Sequence, residues 1–249
     1  MASLTDKVAI VTGGGDGIGR ATALLFSQEG ARVVIADVAP DAARQVAEQI
    51  AAQKRVALAV TTDVTQRDSV RQMVEESLRQ WGRIDILVNI VGGSFPKPVL
   101  EMDESEWDSV VNLNLKSVYL CCRAVLPAMA ERRYGKIVNL ASAQAYTGSA
   151  TRANYTAAKL GVVGFSKSLA LEVIRLGINV NVVAPGLVAT ERVRSRHSDE
   201  EWKEANLSRP MGRAVLPEEI AAAILFLVQD SQASVTGQTI HVNGGAVMV

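Results

Sequence analysis

The chain lacks the means to build a disulfide framework, a metal centre or a membrane anchor. Its 249 residues include two cysteines and two histidines. Cys121 and Cys122 are neighbours inside a helical stretch, badly placed to bridge each other, which points to a reducing compartment. Two histidines without clustered cysteines or carboxylates offer no ligand set, so no catalytic metal is expected. The longest apolar run, Ala221 to Val228, is far too short to span a bilayer, and Met1 to Asp6 has neither the basic nor the apolar part of an export signal. Charge of one sign is missing as well. The 26 basic residues balance 26 acidic ones, which argues against nucleic acid or an anionic membrane as partner. No repeat or low-complexity linker divides Lys7 from Val242. Residues 1–249 are therefore expected to form one cytoplasmic domain.

What the chain does contain is a regular alternation. Strand patterns fall near Val8–Val11, Arg32–Asp37, Arg55–Thr61, Ile84–Asn89, Lys136–Ala141, Ile178–Val183 and Thr239–Val242, with helical periodicity between them. Alternation of this kind predicts an α/β fold of parallel strands with helices on both faces. Helix starts are marked by Thr65 with Asp68, Asp103 with Glu106, Ser198 with Glu201, and Pro217 followed by two glutamates. The cluster Arg132-Arg133-Tyr134-Gly135-Lys136 reads as a solvated turn.

Three groups of residues carry chemistry. The run Thr12-Gly13-Gly14-Gly15-Asp16-Gly17-Ile18-Gly19 joins the first strand to the first helix. Glycines there let the backbone approach a pyrophosphate, whose charge sits on the free N–H groups of the helix N-terminus. The spacing is not G-x-G-x-x-G, since Ile18 and Arg20 stand where that pattern needs glycine. Asp37 closes the second strand, where a carboxylate accepts hydrogen bonds from both adenosine ribose hydroxyls and repels a 2′-phosphate. NAD(H) is the expected cofactor, and NADP(H) stays open because Arg20 or Arg32 would offset that repulsion.

The third group is Ser142, Tyr155 and Lys159. One helical turn puts the phenol and the ammonium on a common face, a cluster suited to proton exchange with an alcohol oxygen. A phenol titrates near ~10, so work near neutrality asks for about 4 kcal/mol. One positive charge about 5 Å away contributes roughly 3 kcal/mol at an effective dielectric of about 20. Lys159 is expected to supply most of the shift.

On these residues the chain resembles the short-chain dehydrogenase/reductase family over essentially its whole length. The family's glycine motif matches Thr12, Gly13, Gly17 and Gly19; its Tyr-x-x-x-Lys matches Tyr155 and Lys159; its catalytic serine matches Ser142. Its active-site asparagine corresponds to Asn114, within Trp107 to Leu115, and its Asp-Val after the third strand to Asp63-Val64. Its Pro-Gly turn after the sixth strand is Pro185-Gly186, with Val188 and Thr190 beyond. The family's Asn-Asn-Ala-Gly run is here Asn89-Ile90-Val91-Gly92, which puts bulkier apolar residues where the chain passes the adenosine. Asn243 stands where many members carry Asp.

The resemblance implies a single doubly wound Rossmann domain, its seven strands ordered 3-2-1-4-5-6-7. It implies cofactor contacts at Gly13, Gly15, Asp16, Gly17, Ile18, Gly19, Asp37, Val38, Asp63, Val64, Asn89, Gly92, Tyr155, Lys159, Pro185, Gly186, Val188 and Thr190. Catalysis falls to Asn114, Ser142, Tyr155 and Lys159: the phenol exchanges the proton, Ser142 hydrogen-bonds the reacting oxygen, and Asn114 interrupts its helix and supports a water chain. A homo-oligomer is expected, because the pattern from Asn154 to Leu176 is apolar around most of its circumference, and the resemblance implies that it is a homotetramer.

Substrate contacts are expected at Ser94, Phe95, Gln144, Arg152 and a lid of about 187–212 hinged at Gly186. The lid's Arg192, Arg194, Arg196 and Arg209 invite a carboxylate or an acyl-carrier phosphate. Glu191, Asp199, Glu200, Glu201 and Glu204 nearly balance them, and a solvated lid is the reading adopted. The expected activity is NAD(P)-dependent oxidation of a small-molecule secondary alcohol or reduction of a ketone. The alternative is reduction of a 3-oxoacyl thioester of acyl-carrier protein or CoA. Within the family the pattern is similar to 3-oxoacyl-acyl-carrier-protein reductases and to cyclic-alcohol dehydrogenases, and Asp37 disfavours the former, which usually take NADPH. A dinucleotide-binding sensor without chemistry would not need Ser142, Tyr155 and Lys159 together. A serine hydrolase would need G-x-S-x-G, and Gly164-Phe165-Ser166-Lys167-Ser168 lacks the final glycine.

Overall fold

The computed structural model describes residues 3–249; Met1 and Ala2, part of the segment read as carrying no export signal, lie outside the described residues. Seven strands, β1 (Val8–Thr12), β2 (Arg32–Asp37), β3 (Ala57–Thr61), β4 (Ile86–Asn89), β5 (Gly135–Leu140), β6 (Ile178–Pro185) and β7 (Thr239–Val242), build one sheet. Their order is β3-β2-β1-β4-β5-β6-β7, every neighbouring pair is parallel, and the expected fold class holds. β1, β5 and β6 are buried along their whole lengths, as strands covered on both faces must be.

The helices are α1 (Gly17–Gln28), α2 (Pro40–Ala52), α3 (Arg67–Trp81), α4 (Glu104–Val111), α5 (Ser117–Arg132), α6 (Gln144–Thr147), α7 (Ala153–Val173), α8 (Glu191–Arg194), α9 (Asp199–Leu207) and α10 (Pro217–Val228). α3, α5 and α7 cover one face, where Met73, Val125, Met129 and Val162 meet the sheet. α1, α2 and α10 cover the other with Phe26, Val46, Ile50 and Ile224. Each such side chain contributes roughly 1.5–3 kcal/mol of burial.

Some local expectations change, and β3 starts at Ala57 rather than Arg55. β4 starts at Ile86 rather than Ile84, because the fully buried Asp85 carboxylate, not a main-chain carbonyl, receives the Val8 N–H at 2.9 Å. α3 starts at Arg67 with no side-chain cap, since the Thr65 hydroxyl donates instead to Asp63 at 2.7 Å. The other signals act as expected. Glu106 accepts from the Asp103 N–H at 2.8 Å, Ser198 and Glu201 cap α9 reciprocally, and Pro217 opens α10. The basic cluster is not a solvated turn throughout. Arg132 and Arg133 are exposed, but Lys136 is buried in β5 and donates to Asn179 at 2.7 Å. Cys121 and Cys122 are buried free thiols in α5, both pushed up by burial, Cys122 to about 12.

A polar peg holds α7 to the sheet. Asn139 of β5 is fully buried; it accepts from the Asn89 side chain of β4 at 2.8 Å and donates to the Ser166 hydroxyl of α7 at 2.9 Å. Ser166 in turn donates to the Val162 carbonyl at 2.7 Å, which removes it as a nucleophile. Asn139→Ala removes a partner from both the buried Asn89 amide and the Ser166 hydroxyl and is expected to destabilise the fold by about 2–4 kcal/mol. Urea unfolding measures this, and a loss near zero would show that the peg is dispensable.

Candidate active site

Parallel strands end at one edge, and that edge gathers the candidate residues. Asp37, Asn89 and Pro185 close β2, β4 and β6, and Ser142 lies just past β5. Tyr155 and Lys159 stand one turn apart on α7, with the ammonium 5.9 Å from the phenol ring centroid. Ser142, Tyr155 and Lys159 line one cavity of about 540 Å³, together with Gln144, Arg152, Pro185, Gly186 and Val188.

Lys159 is 3% exposed, and its ammonium donates to the Leu140 carbonyl at 2.8 Å. Burial, helped by the charge of Arg192, lowers it to about 8. Burial pushes the Tyr155 phenol above its ordinary value, while a hydrogen bond with the Ser142 hydroxyl and the charges of Arg152 and Arg192 pull it down. The expectation that Lys159 acidifies the phenol is therefore corrected. Its ammonium is engaged with Leu140, the downward pull comes from Ser142 and two arginines, and burial outweighs it.

Asn114 is fully buried in a π-helical turn, Asn112–Lys116, that separates α4 from α5, so the helix is interrupted where expected. Its side chain accepts from the Gly93 N–H at 3.0 Å and donates to the Gly93 carbonyl at 2.8 Å. Gly92 must be glycine on grounds of space. A Cβ there would lie 2.6 Å from Asn114 Oδ1 and 2.8 Å from Lys159 Nζ.

A second cleft, about 510 Å³, adjoins the first and is lined by Gly13, Asp16, Gly17, Asp37, Val38, Asp63 and Val64. Ile18, Ile90, Gly92, Thr190 and Arg192 line both. The glycine loop folds tightly on itself, since a Cβ on Gly19 would lie 1.8 Å from the Gly13 carbonyl oxygen. Gly15 donates to Asp37 at 2.9 Å, while Asp16 caps α1 by accepting from Gly17 at 2.6 Å. Main-chain N–H groups at a helix start beside a strand-end carboxylate fit the pyrophosphate and ribose of a dinucleotide. Ile90 and Val91 each pack partly against one of the two cores, and both still line the second cleft.

Other candidates fall elsewhere. Gly15, Gly19 and Asn89 line neither cavity; they shape the loop and the peg beneath it. Ser94 and Phe95 also line neither; the Ser94 hydroxyl is buried without a partner, and Phe95 is 78% exposed. Gly186 is closely packed rather than loose: it donates to the Val242 carbonyl at 3.1 Å, and a Cβ would meet Asn243 at 3.0 Å. Sequence reasoning missed Thr147, Ala246 and Val247 in the first cavity and assigned no role to His197, which also lines it. The tail residues carry no local signal, because the turn after β7 alone brings them there. Arg196 and Arg209, read as solvated, face the cavity as well.

Residues 13–247 match the profile of a protein family described as Enoyl-(Acyl carrier protein) reductase. A 3-oxoacyl-[acyl-carrier-protein] reductase of Thermotoga maritima is 39% identical over 246 residues, 98% of this chain and 99% of its own. A (2S)-[(R)-hydroxy(phenyl)methyl]succinyl-CoA dehydrogenase subunit of Thauera aromatica is 39% identical over 243 residues, 97% of each chain. The crystal structure of gox2181 aligns with a TM-score of 0.92 at 33% identity, over 98% of this chain and 96% of that one.

The lowered Lys159 predicts a pH effect of definite sign. A lysine that is harder to protonate when folded contributes stability that is full above its unfolded value and lost as pH falls through its folded value, here about 8. The stability of the wild type relative to Lys159→Met is expected to rise by about 3 kcal/mol between pH 7 and 10.5. Urea unfolding across that range tests it, and a flat difference would place the ammonium in water.

Proposed function

Because the chain belongs to the short-chain dehydrogenase/reductase family of nicotinamide-dependent oxidoreductases, we propose that it interconverts a 3-oxoacyl thioester and the corresponding 3-hydroxyacyl thioester. The observation that carries this reading is the common wall between the two cavities. Ser142 and Tyr155 face one, the dinucleotide-like cleft is the other, and Gly92 and Thr190 border both. The sequence favoured a simple alcohol or ketone; the Thermotoga relative supports the thioester instead. The Thauera relative, named for an alcohol-bearing CoA thioester, supports the same chemistry run as oxidation.

A bound nicotinamide dinucleotide supplies or accepts the hydride. Tyr155 then donates its phenolic proton to the carbonyl oxygen, and the Ser142 hydroxyl donates a hydrogen bond to that oxygen. Burial raises the phenol above its ordinary value, which favours the protonated form that reduction uses. Oxidation requires a phenolate, which Ser142, Arg152 and Arg192 would stabilise. Lys159, whose ammonium donates to the Leu140 carbonyl, would hold the nicotinamide ribose hydroxyls of a bound dinucleotide. Asn114 acts by holding the 92–93 wall through Gly93.

NAD(H) is the proposed cofactor. The Asp37 oxygens accept from Gly15 and Ala39 and keep lone pairs for ribose hydroxyls. Arg32 is paired with Asp6, and neither Arg20 nor Arg32 lines the cleft, so neither is placed to receive a 2′-phosphate.

The proposed assembly is a homotetramer. On α4, α5 and α7 the side chains of Trp107, Tyr119, Leu160 and Leu171 are 39%, 41%, 48% and 81% exposed, an apolar surface suited to burial against a copy of itself. Light scattering at micromolar concentration is expected to read four times the 26.6 kDa chain mass, and a monomer would refute it.

Steady-state turnover with NADH and NADPH against 3-oxoacyl thioesters, ketones and cyclic diketones tests the reaction. Thioesters with NADH are expected to give the highest kcat/KM. Tyr155→Phe is expected to lose at least about 100-fold in kcat, the scale of a general acid, while binding NADH nearly as well as wild type. Retained turnover would remove the phenol from the mechanism.

A further inference from the structure

The substrate cavity carries charge of one sign. Arg152, Lys159, Arg192, Arg196 and Arg209 line it, and no Asp or Glu does. Lys159 belongs to the reaction, and Arg192 borders both cavities with its guanidinium donating to the Gly92 carbonyl at 3.2 Å. Arg196 and Arg209 are left without a task, and Arg152 has none beyond its charge on the phenol.

Among the described residues none of these three has a carboxylate partner. Arg196 lies over the Phe95 ring at 5.4 Å, and Arg209 donates to the Ala205 carbonyl at 3.3 Å. The nearby arginines outside the cavity are paired, Arg194 with Asp199 and Arg213 with Glu219. Acidic residues of the same segment that balance the count in the sequence are engaged elsewhere or exposed. Asp199 pairs with Arg194, Glu201 caps α9, and Glu191, Glu200 and Glu204 are exposed.

A cleft with cations on its wall and no counter-charge focuses a positive potential on whatever enters it. Guanidinium is also the group whose planar fork matches the paired oxygens of carboxylate or phosphate. Arg152 lines the same cavity as Ser142 and Tyr155, so an anion held by it shares that cavity with the reacting oxygen.

We propose that the substrate carries an oxyanion besides the carbonyl or alcohol that reacts, and that Arg152 binds it together with Arg196 and Arg209 of the lid. The oxyanion is a carboxylate on the acyl chain or a phosphate on the thioester carrier, two sources that offer a guanidinium the same oxygens. The inference rests on the oxidoreductase reading and specifies its substrate.

The test compares kcat/KM for short 3- and 4-oxo acids with that for their methyl esters, and for a 3-oxoacyl-CoA with that for the N-acetylcysteamine thioester of the same acyl group. One pair is expected to favour its charged member at least tenfold, chiefly through KM. A preference in the acid pair identifies a carboxylate, and one in the CoA pair a phosphate. Arg152→Gln is expected to bring the preference towards unity, and Arg152→Lys to restore part of it. Arg196→Gln and Arg209→Gln each reduce it, whereas Arg213→Gln, outside the cavity, leaves it intact. Equal reaction of charged and neutral members overturns the inference and leaves the thioester reading standing. If nothing is turned over, the oxidoreductase reading fails instead, and titration calorimetry of the same acids and esters into the protein with NAD decides. Salt-sensitive binding of acid but not ester, lost in Arg152→Gln, sustains the inference; equal binding, or none, overturns it.

Discussion

A single buried ammonium organises the reactive edge of this protein. Taking a lysine charge out of water is expensive unless polar groups meet it, and Lys159 meets the Leu140 carbonyl at 2.8 Å. Its neighbours must then leave room. Gly92 has no side chain because one would strike both the ammonium and the Asn114 amide. Asn114 reaches that wall from a helix widened into a π turn at Asn112–Lys116. The constraint thus passes from the charge to a glycine, and from the glycine to an irregularity in a helix on the other side of the site.

The position of that ammonium depends on how α7 seats against the sheet. Asn139 links β4, β5 and Ser166 in one fully paired buried network, two helical turns along α7 from Lys159. Apolar contacts alone tolerate sliding, whereas a satisfied buried network has one arrangement. Asn89 and Asn139 are also register partners across β4 and β5, so one pair of side chains ties strand register to helix position. Asn89, expected to touch the cofactor, does this structural work just beneath the cleft.

Charge divides the edge into two halves. The cleft over β1 and β2 shows Asp16, Asp37 and Asp63, while the cavity over β5 and β6 shows guanidinium groups and no carboxylate. The halves meet at Gly92, Thr190 and Arg192. An overall charge near zero conceals this arrangement, because the carboxylates of the cleft and the guanidinium groups of the cavity come from distant parts of the sequence. Arg194 and Arg196 are two residues apart, yet one pairs with Asp199 and the other lies over Phe95 at the cavity.

Much of the fold was legible because parallel strands buried on both faces must be continuous apolar runs, and because Gly13, Asp37, Asn89 and Pro185 punctuate their ends. Ser142, Tyr155 and Lys159 were legible for a similar reason, since their spacing on one strand and one helix is a local property. Less legible were β4's true start, set by the Asp85 carboxylate, and the burial of Lys136, which looked like part of a charged turn. The sequence by itself determined the succession of strands and helices along the chain and the meeting of Ser142, Tyr155 and Lys159 in one cavity, since periodicity and spacing act over a few residues. Only the tertiary structure decided the state of the phenol, the orientation of the Lys159 ammonium and the grouping of Arg152 with Arg196 and Arg209. Burial and electrostatic pairing depend on which distant segments come together, and no local pattern records that.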